Sequence, residues 1–257
     1  MKLDFRIEHE FGCTESIKPV ELATLFQEVT KQLDELLGSK KSWYEQGYSR
    51  RQALQYKVFA KEGLFEDVLA RWERDYKKDY PNWTTGIWDG GSDEDSAGVD
   101  CYSSYSSTHR RKNPLSLVVS FSTDPNQTKV NVEKMIDFFT FLLCSTNYCT
   151  YSCVESGGYG FSEIIPNENG YDEVYKKAFP DRISCGWMLF ISAIVLPELI
   201  PEATRVIPVT KDKKQIGTIV VSTEEIFDGN NKEHIGKAND IEIKLLDLGL
   251  LPLMTEL

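Results

Sequence analysis

The stretch Thr84-Thr85-Gly86-Ile87-Trp88-Asp89-Gly90-Gly91-Ser92-Asp93-Glu94-Asp95-Ser96 decides the fold, because the hydrophobic period changes there. Upstream of it, Leu64, Phe65, Val68, Leu69 and Trp72 recur at helical spacing in a segment running from Leu64 to Tyr76. From Thr84 onward, strand-like runs follow one another at Thr84 to Trp88, Gly98 to Tyr105 and Leu115 to Ser122. Two polar breaks separate them: the acidic, Gly/Ser-rich loop and the basic turn Arg110-Arg111-Lys112-Asn113-Pro114. Short strands joined in this way predict an antiparallel meander.

Toward the amino terminus, residues 2 to 9 alternate apolar and charged side chains, with Leu3, Phe5 and Ile7 on one face of a strand. Pro19 suits a first helical turn, and the stripe from Val20 through Leu25, Phe26 and Leu33 to Leu37 ends at Gly38. Ser49-Arg50-Arg51-Gln52 reads as a capping box that opens a second helix toward Val58-Phe59. Toward the carboxyl terminus, Asn131 precedes a helix over Val132 to Leu143, and Asn231 to Leu248 reads as the closing helix. Ile183 to Ile194 and Gly217 to Ser222 read as buried strands. Gly157-Gly158-Tyr159-Gly160 reads as a turn, since it lacks the spacing of a phosphate-cradling loop.

Helices and hairpin-linked strands are segregated along the chain instead of alternating, which predicts an α+β fold: an antiparallel or mixed sheet with helices packed on it. A single domain over residues 1–257 is expected, with the stretch Pro166 to Gly170 as the one candidate sub-boundary.

Forty Asp and Glu against 29 Lys and Arg give a formal charge of -11, which disfavours nucleic acid as a direct partner because phosphate neutralisation requires a basic surface. The amino terminus holds no apolar run of signal-peptide type. The longest apolar stretch, Trp187 to Leu196, is interrupted by Ser192 and stops at Pro197, short of the roughly 20 residues a bilayer requires. A cytoplasmic protein with no membrane partner is expected. The six cysteines, Cys13, Cys101, Cys144, Cys149, Cys153 and Cys185, are then expected as reduced thiols.

Catalytic and metal-binding patterns are missing. His9, His109 and His234 stand in no H-x-x-x-H arrangement, and the spacing of Cys144, Cys149 and Cys153 does not suit zinc. No G-x-S-x-G elbow is present, and a nucleophile at Cys149 or Cys153 would need a histidine distant in sequence. The expectation is a protein without catalysis, cofactor or metal.

The acidic stretch is the exception to this blandness. Between Asp79 and His109 lie six carboxylates, Asp79, Asp89, Asp93, Glu94, Asp95 and Asp100, and not one Lys or Arg. Such a segment is either a solvated connection or a docking surface for a basic partner. Trp83, Trp88, Tyr102 and Tyr105, interleaved with it, are either core packing or interface anchors.

Several blocks together resemble a known family. They are Trp43-Tyr44-Glu45-Gln46-Gly47-Tyr48-Ser49 with Ala53-Leu54-Gln55-Tyr56-Lys57-Val58-Phe59, then Ile87-Trp88-Asp89-Gly90, then Gly186-Trp187. Gly217-Thr218-Ile219-Val220-Val221-Ser222-Thr223-Glu224-Glu225-Ile226-Phe227-Asp228 follows, and the stretch from Glu233-His234 to Leu250-Leu251-Pro252 closes the series. In this order the blocks, spread over residues 43 to 252, resemble the immunity protein 52 family, bacterial proteins that neutralise restriction-endonuclease-like toxins of polymorphic and type VI secretion systems. Residues 1–42 and 147–181 match none of the blocks. The resemblance implies a cognate toxin, a DNase-like effector encoded by the adjacent gene, as partner. It supplies no catalytic residues.

On that reading Trp88, Asp89, Asp93, Glu94, Asp95, Asp100 and Tyr102 are the expected toxin-binding residues, the carboxylates facing toxin Arg and Lys around aromatic anchors. Trp43, Tyr44, Tyr56 and Phe59 are expected as packing around the capping box. Two other classes compete. A small-molecule or nucleotide enzyme with a site of dispersed carboxylates calls for a closed acidic pocket, and a non-catalytic adaptor for an exposed apolar patch.

Overall fold

The computed structural model describes residues 2–12, 17–47, 49–61, 63–80, 82–92, 95–103, 114–126 and 129–256. Cys13, Tyr48, Asp93, Glu94, Tyr105, His109 and the basic residues Arg110 to Lys112 lie outside the described residues. The chain packs into two compact units, one of Met1–Lys2 and Glu8–Cys149, the other of Leu3–Ile7 and Thr150–Leu257.

In chain order the first unit carries β1 (Leu3–Gly12), α1 (Pro19–Leu37), β2 (Tyr44–Glu45), α2 (Arg50–Ala53), α3 (Glu66–Asp79), β3 (Thr84–Trp88), β4 (Ala97–Ser103), β5 (Pro114–Thr123) and α4 (Val132–Ser145). The second carries β6 (Cys149–Ser156), β7 (Ser162–Asn167), β8 (Gly170–Tyr175), β9 (Met188–Ile191), β10 (Arg205–Lys211), β11 (Lys214–Val221) and α5 (Lys232–Asp247), and takes the first half of β1. Nine strands form one sheet in the order β10-β11-β9-β6-β1-β5-β4-β3-β2, and β7-β8 form a separate hairpin. The fold is α+β, as the segregated pattern predicts.

Local chemistry explains most boundaries. Lys18 N–H donates to Glu21 Oε2 (3.1 Å) at the start of α1, Pro19 needs no donor in the first turn, and Gly38 closes the helix at φ 68. Asn131 and Asn231 cap α4 and α5 through the backbone N–H of Lys134 and Glu233 (3.0 Å each). In the first unit α1 packs on α3, α4 and β4, burying Leu22, Phe26, Val29 and Leu33 together with Phe139 and Leu142. Each such side chain contributes about 1.5–3 kcal/mol relative to exposure.

Tertiary hydrogen bonding overrides two expected elements. The helix expected from Ser49 toward Phe59 is a single turn, Arg50–Ala53, although Ser49 Oγ accepts from Gln52 N–H as the capping box requires. Beyond it the backbone is drawn into pairing with β2: Glu45 N–H donates to Tyr56 O and Val58 N–H to Trp43 O (2.9 Å each). The strand expected over Ile183 to Ile194 is confined to Met188–Ile191. Cys185 N–H is taken by the Glu242 carboxylate (2.8 Å), Gly186 sits at φ 56, and Thr218 Oγ1 donates to Ala193 O (2.8 Å).

Further strands escaped the periodicity, β6, β7, β8 and β10 among them. In β6 both faces are buried from Tyr151 to Ser156, so no alternation marks it. β10 carries Pro208 and is the outermost strand, where a missing donor is tolerated. Pro166 to Gly170, the sub-boundary expected from composition, is the turn region of the β7–β8 hairpin. The Gly157-Gly158-Tyr159-Gly160 run is a turn, with Gly157 at φ 60 and Gly158 at φ 67.

Candidate functional site

The register of β3 and β4 places Thr84 opposite Tyr102, Gly86 opposite Asp100 and Trp88 opposite Gly98. Side chains alternate across a strand, so these six share one face, while Ile87, Val99 and Cys101 are buried on the other. β2 covers only the end of β3, pairing Tyr44 with Trp88 and Glu45 with Ile87. Beyond Glu45 only one long contact continues the pairing along this edge of β3 among the described residues, Gln46 N–H to Gly86 O at 3.5 Å. Ser103 N–H donates to Trp83 O (3.1 Å), so the same alternation turns the peptide groups of Thr84 and Gly86 away from β4 and toward that edge.

A cleft of about 280 Å³ lies along this edge, lined by Glu45, Gln46, Trp72, Asp75, Trp83, Thr84, Thr85, Gly86, Asp100 and Tyr102. Its helical wall is aromatic and rigid. The Trp72 ring stands edge-on to Phe26 (5.7 Å) and Trp83 (6.3 Å), and Tyr76 stands edge-on to Trp83 (5.5 Å). Glu45 is held from both sides: Trp72 Nε1 donates to Oε1 (3.0 Å), and the Arg71 guanidinium donates to Oε2. Arg71 also bonds Asp67 (2.8 Å) and lies over the Tyr56 ring (5.1 Å). The Glu45 contact, more than the Asp67 contact, raises the Arg71 pKa above its ordinary value.

Gly86 makes the floor of the cleft. Asp100 lays its carboxylate across β3 to accept from Gln46 Nε2 (2.6 Å), and a Cβ on Gly86 would overlap Asp100 Oδ1 and stand 2.7 Å from Gln46 Nε2. A glycine inside a strand commonly marks such an approach, and that signal was legible in Thr84-Thr85-Gly86-Ile87-Trp88. Glu45, Gln46 and Asp75 gave no comparable signal, since only the packing of α3 against β2 and β3 gathers them.

The expected site residues separate. Asp100 and the 43 % exposed Tyr102 line the cleft, whereas Trp83 contributes a ring from the core. Trp88 is half-buried beside Tyr44, with ring centroids 6.3 Å apart. Asp89 turns inward: its side chain is 3 % exposed, ion-paired to Lys41, and accepts from Gly91 N–H (2.9 Å). Asp95 is exposed and pairs with Lys2 at 3.1 Å. Trp43 is buried and Phe59 half-buried, as packing residues, while Tyr56 is 41 % exposed under Arg71.

Two buried polar clusters resemble catalytic groups and are built differently. Cys149 Sγ lies 3.5 Å from His9 Nδ1, and Thr146 Oγ1 lies 2.6 Å from His9 Nε2. Burial lowers the His9 pKa from 6.5 to about 3, so the imidazolium that would accompany a reactive thiolate is strongly disfavoured. In the second unit the Glu242 carboxylate accepts from Ala178 N–H (2.9 Å), Cys185 N–H (2.8 Å) and Tyr159 O–H (3.0 Å). Desolvation raises its pKa despite these donors, and the group is fully buried, a packing element without access for substrate.

Among the described residues no three His, Cys, Asp or Glu side chains converge to hold a metal ion, and no helix is long and apolar enough to cross a membrane. Cys101, Cys153 and Cys185 are buried thiols, and Cys144 and Cys149 half-buried ones. Among the described residues the cleft lining offers carboxylates, hydroxyls and aromatic faces, with no histidine or cysteine. Two of its carboxylates are ion-paired, Glu45 to Arg71 and Asp75 to Arg74.

A family model, immunity protein 52, matches residues 14–254. Among solved structures, the Pseudomonas aeruginosa T6SS protein PA0821 aligns with a TM-score of 0.53 at 12 % identity, covering 95 % of this chain and 76 % of that one. At this identity the likeness shows the fold alone. No curated protein matches the chain.

Proposed function

The chain belongs to the immunity protein 52 family, and from that premise we propose that it neutralises a cognate nuclease-type toxin through the acidic surface around the β3 cleft, by occupancy and not by catalysis. Family membership implies a toxin partner. The observation that carries the finer reading is the Asp100 carboxylate on the cleft floor, bonded to Gln46, with no Lys or Arg among the described lining residues; the other two lining carboxylates, Glu45 and Asp75, are ion-paired to Arg71 and Arg74. A nuclease must hold polyphosphate, so its cleft is basic, and a guanidinium that binds phosphate also binds a carboxylate in bidentate geometry. Asp100 and Tyr102 form the centre of the proposed interface, Trp88 its flank, and Asp93, Glu94 and Asp95 its steering rim. Asp89 acts indirectly, by fixing the turn at Gly90-Gly91 from which that rim departs.

Charge on the rim accelerates encounter and is screened beyond about 8–10 Å at physiological salt, whereas desolvated pairs in the cleft govern dissociation. The likeness to a Pseudomonas aeruginosa T6SS protein supports a type VI effector as the kind of toxin proposed. A nuclease acts on nucleic acid in the cytoplasm, so the same proposal puts the inhibitor there.

Co-expression tests the reading. Cells making the toxin encoded beside this gene survive only with this protein present; equal killing with and without it refutes the function. Replacing Asp93→Asn, Glu94→Gln and Asp95→Asn together slows association and flattens its salt dependence, while wild-type kinetics at low salt would remove the loop from the interface.

A further inference from the structure

The second unit carries an element whose surface does not suit a purely solvated hairpin. β7 and β8 pair in register, with Ile164 opposite Glu173 and Pro166 opposite Tyr171. By the pleat, Ile164, Pro166 and Tyr171 share one face, and Ile164 is 70 % and Tyr171 75 % exposed. A lone two-stranded hairpin is marginal in water, and exposing large apolar side chains on it brings no folding advantage.

The base of this hairpin is pinned. Lys176 Nζ donates to Gly157 O (2.6 Å) and Asn230 Oδ1 (3.0 Å) and pairs with Glu163 at 3.2 Å, while Asn239 Nδ2 donates to Lys176 O (3.1 Å). The exposed tip therefore projects from a fixed root, and preorganisation of this kind lowers the ordering cost of binding.

Charge identifies the occupant. Residues 162–175 contain four carboxylates, Glu163, Glu168, Asp172 and Glu173, and no Lys or Arg. Glu173 accepts hydrogen bonds from Tyr175 and Ser162, which favour its ionised form. A second copy of a chain with net charge -11 would bring the same carboxylates against these. A basic protein surface with an apolar pocket complements them.

We propose that the β7–β8 hairpin is a second docking element for the toxin, with Tyr171 and Ile164 as buried anchors and Glu168, Asp172 and Glu173 paired to toxin Arg and Lys around them. This rests on the immunity reading, and it assigns binding strength to a segment separate from the β3 cleft. Anchors at the centre of an interface carry most of its binding energy, so their loss shows chiefly in dissociation.

The test is surface plasmon resonance of the full-length chain against the purified toxin encoded beside it. Ile164→Ser with Tyr171→Ser should leave the melting temperature unchanged and speed dissociation by at least about 30-fold. Hydrogen exchange on the wild-type complex provides a readout independent of substitution, with amides of residues 162–175 slowed by the toxin. Wild-type binding with unchanged dissociation of the double variant, or without protection of the hairpin, overturns the hairpin proposal alone. No binding by the wild-type chain overturns the immunity reading and this inference with it. A dimer in sedimentation that Tyr171→Ser disperses would identify a second copy as the occupant and also overturn it.

Discussion

Gly86→Ala separates what the cleft does for folding from what it does for binding. Gly86 lies in ordinary strand conformation without a positive φ, so alanine meets no backbone strain there. The new Cβ would overlap Asp100 Oδ1 and crowd Gln46 Nε2, both far ends of flexible side chains that can swing aside. Their displacement breaks the Gln46–Asp100 hydrogen bond, a charge-assisted contact at the surface that contributes about 1–2 kcal/mol. Against this, replacing glycine in a strand gains about 0.4–1 kcal/mol from the reduced freedom of the unfolded chain. The net loss of stability should lie between about 0 and 1.6 kcal/mol, at most roughly 3–6 °C in melting temperature for a chain of this size. Toxin affinity should fall at least about tenfold, because the carboxylate at the cleft floor no longer stands where a guanidinium would meet it. Urea unfolding and calorimetric titration against the toxin measure the two effects side by side. Unchanged affinity would refute the role given to Asp100, and a loss of more than about 3 kcal/mol in stability would refute the claim that only side-chain ends must move.

Three further perturbations bear on the packing around the site. The folded chain holds His9 neutral to about pH 3 while the unfolded chain protonates it near 6.5, so stability is complete above 6.5 and falls as pH drops, by up to about 1.4 kcal/mol per unit. Urea midpoints across that window should show a shallower slope in His9→Gln, and an equal slope would assign the effect to other groups. Glu242→Ala strips the acceptor from Ala178 N–H and Cys185 N–H and should cost about 3–5 kcal/mol; Glu242→Gln, which keeps an acceptor for one of these donors and sets an NH2 against the other, should recover only part of it on the same urea curves. Trp43→Ala should lower stability by about 3–5 kcal/mol with toxin affinity intact, and Trp43→Phe should cost less, since the buried indole Nε1 finds no partner among the described residues. Unchanged melting with lost toxin binding would instead place Trp43 in the interface.

Where hydrophobic period and cap chemistry act over neighbouring residues, the chain announces its own structure. α1, α4 and α5 lie close to where their stripes and caps place them, as do β1, β3 and the described parts of β4 and β5, because a helix stripe or a strand alternation is a property of ten or so consecutive side chains. Where the backbone bonds of a segment are satisfied by distant partners, local pattern fails: α2 is shortened by β2, and β9 is trimmed by Glu242 and Thr218. The acidity of the stretch around Asp89 to Asp100 was likewise legible, but charge in sequence carries no direction. Tertiary structure alone turned Asp89 inward to Lys41, set Asp100 across Gly86, and brought Glu45 and Asp75 to the same cleft from β2 and α3. The sequence by itself determined the kinds of element and the sign of the surface, which depend on near neighbours and composition. Which carboxylates share a site depends on strand register and on where the two-residue β2 stops covering β3, and only the folded chain decides those.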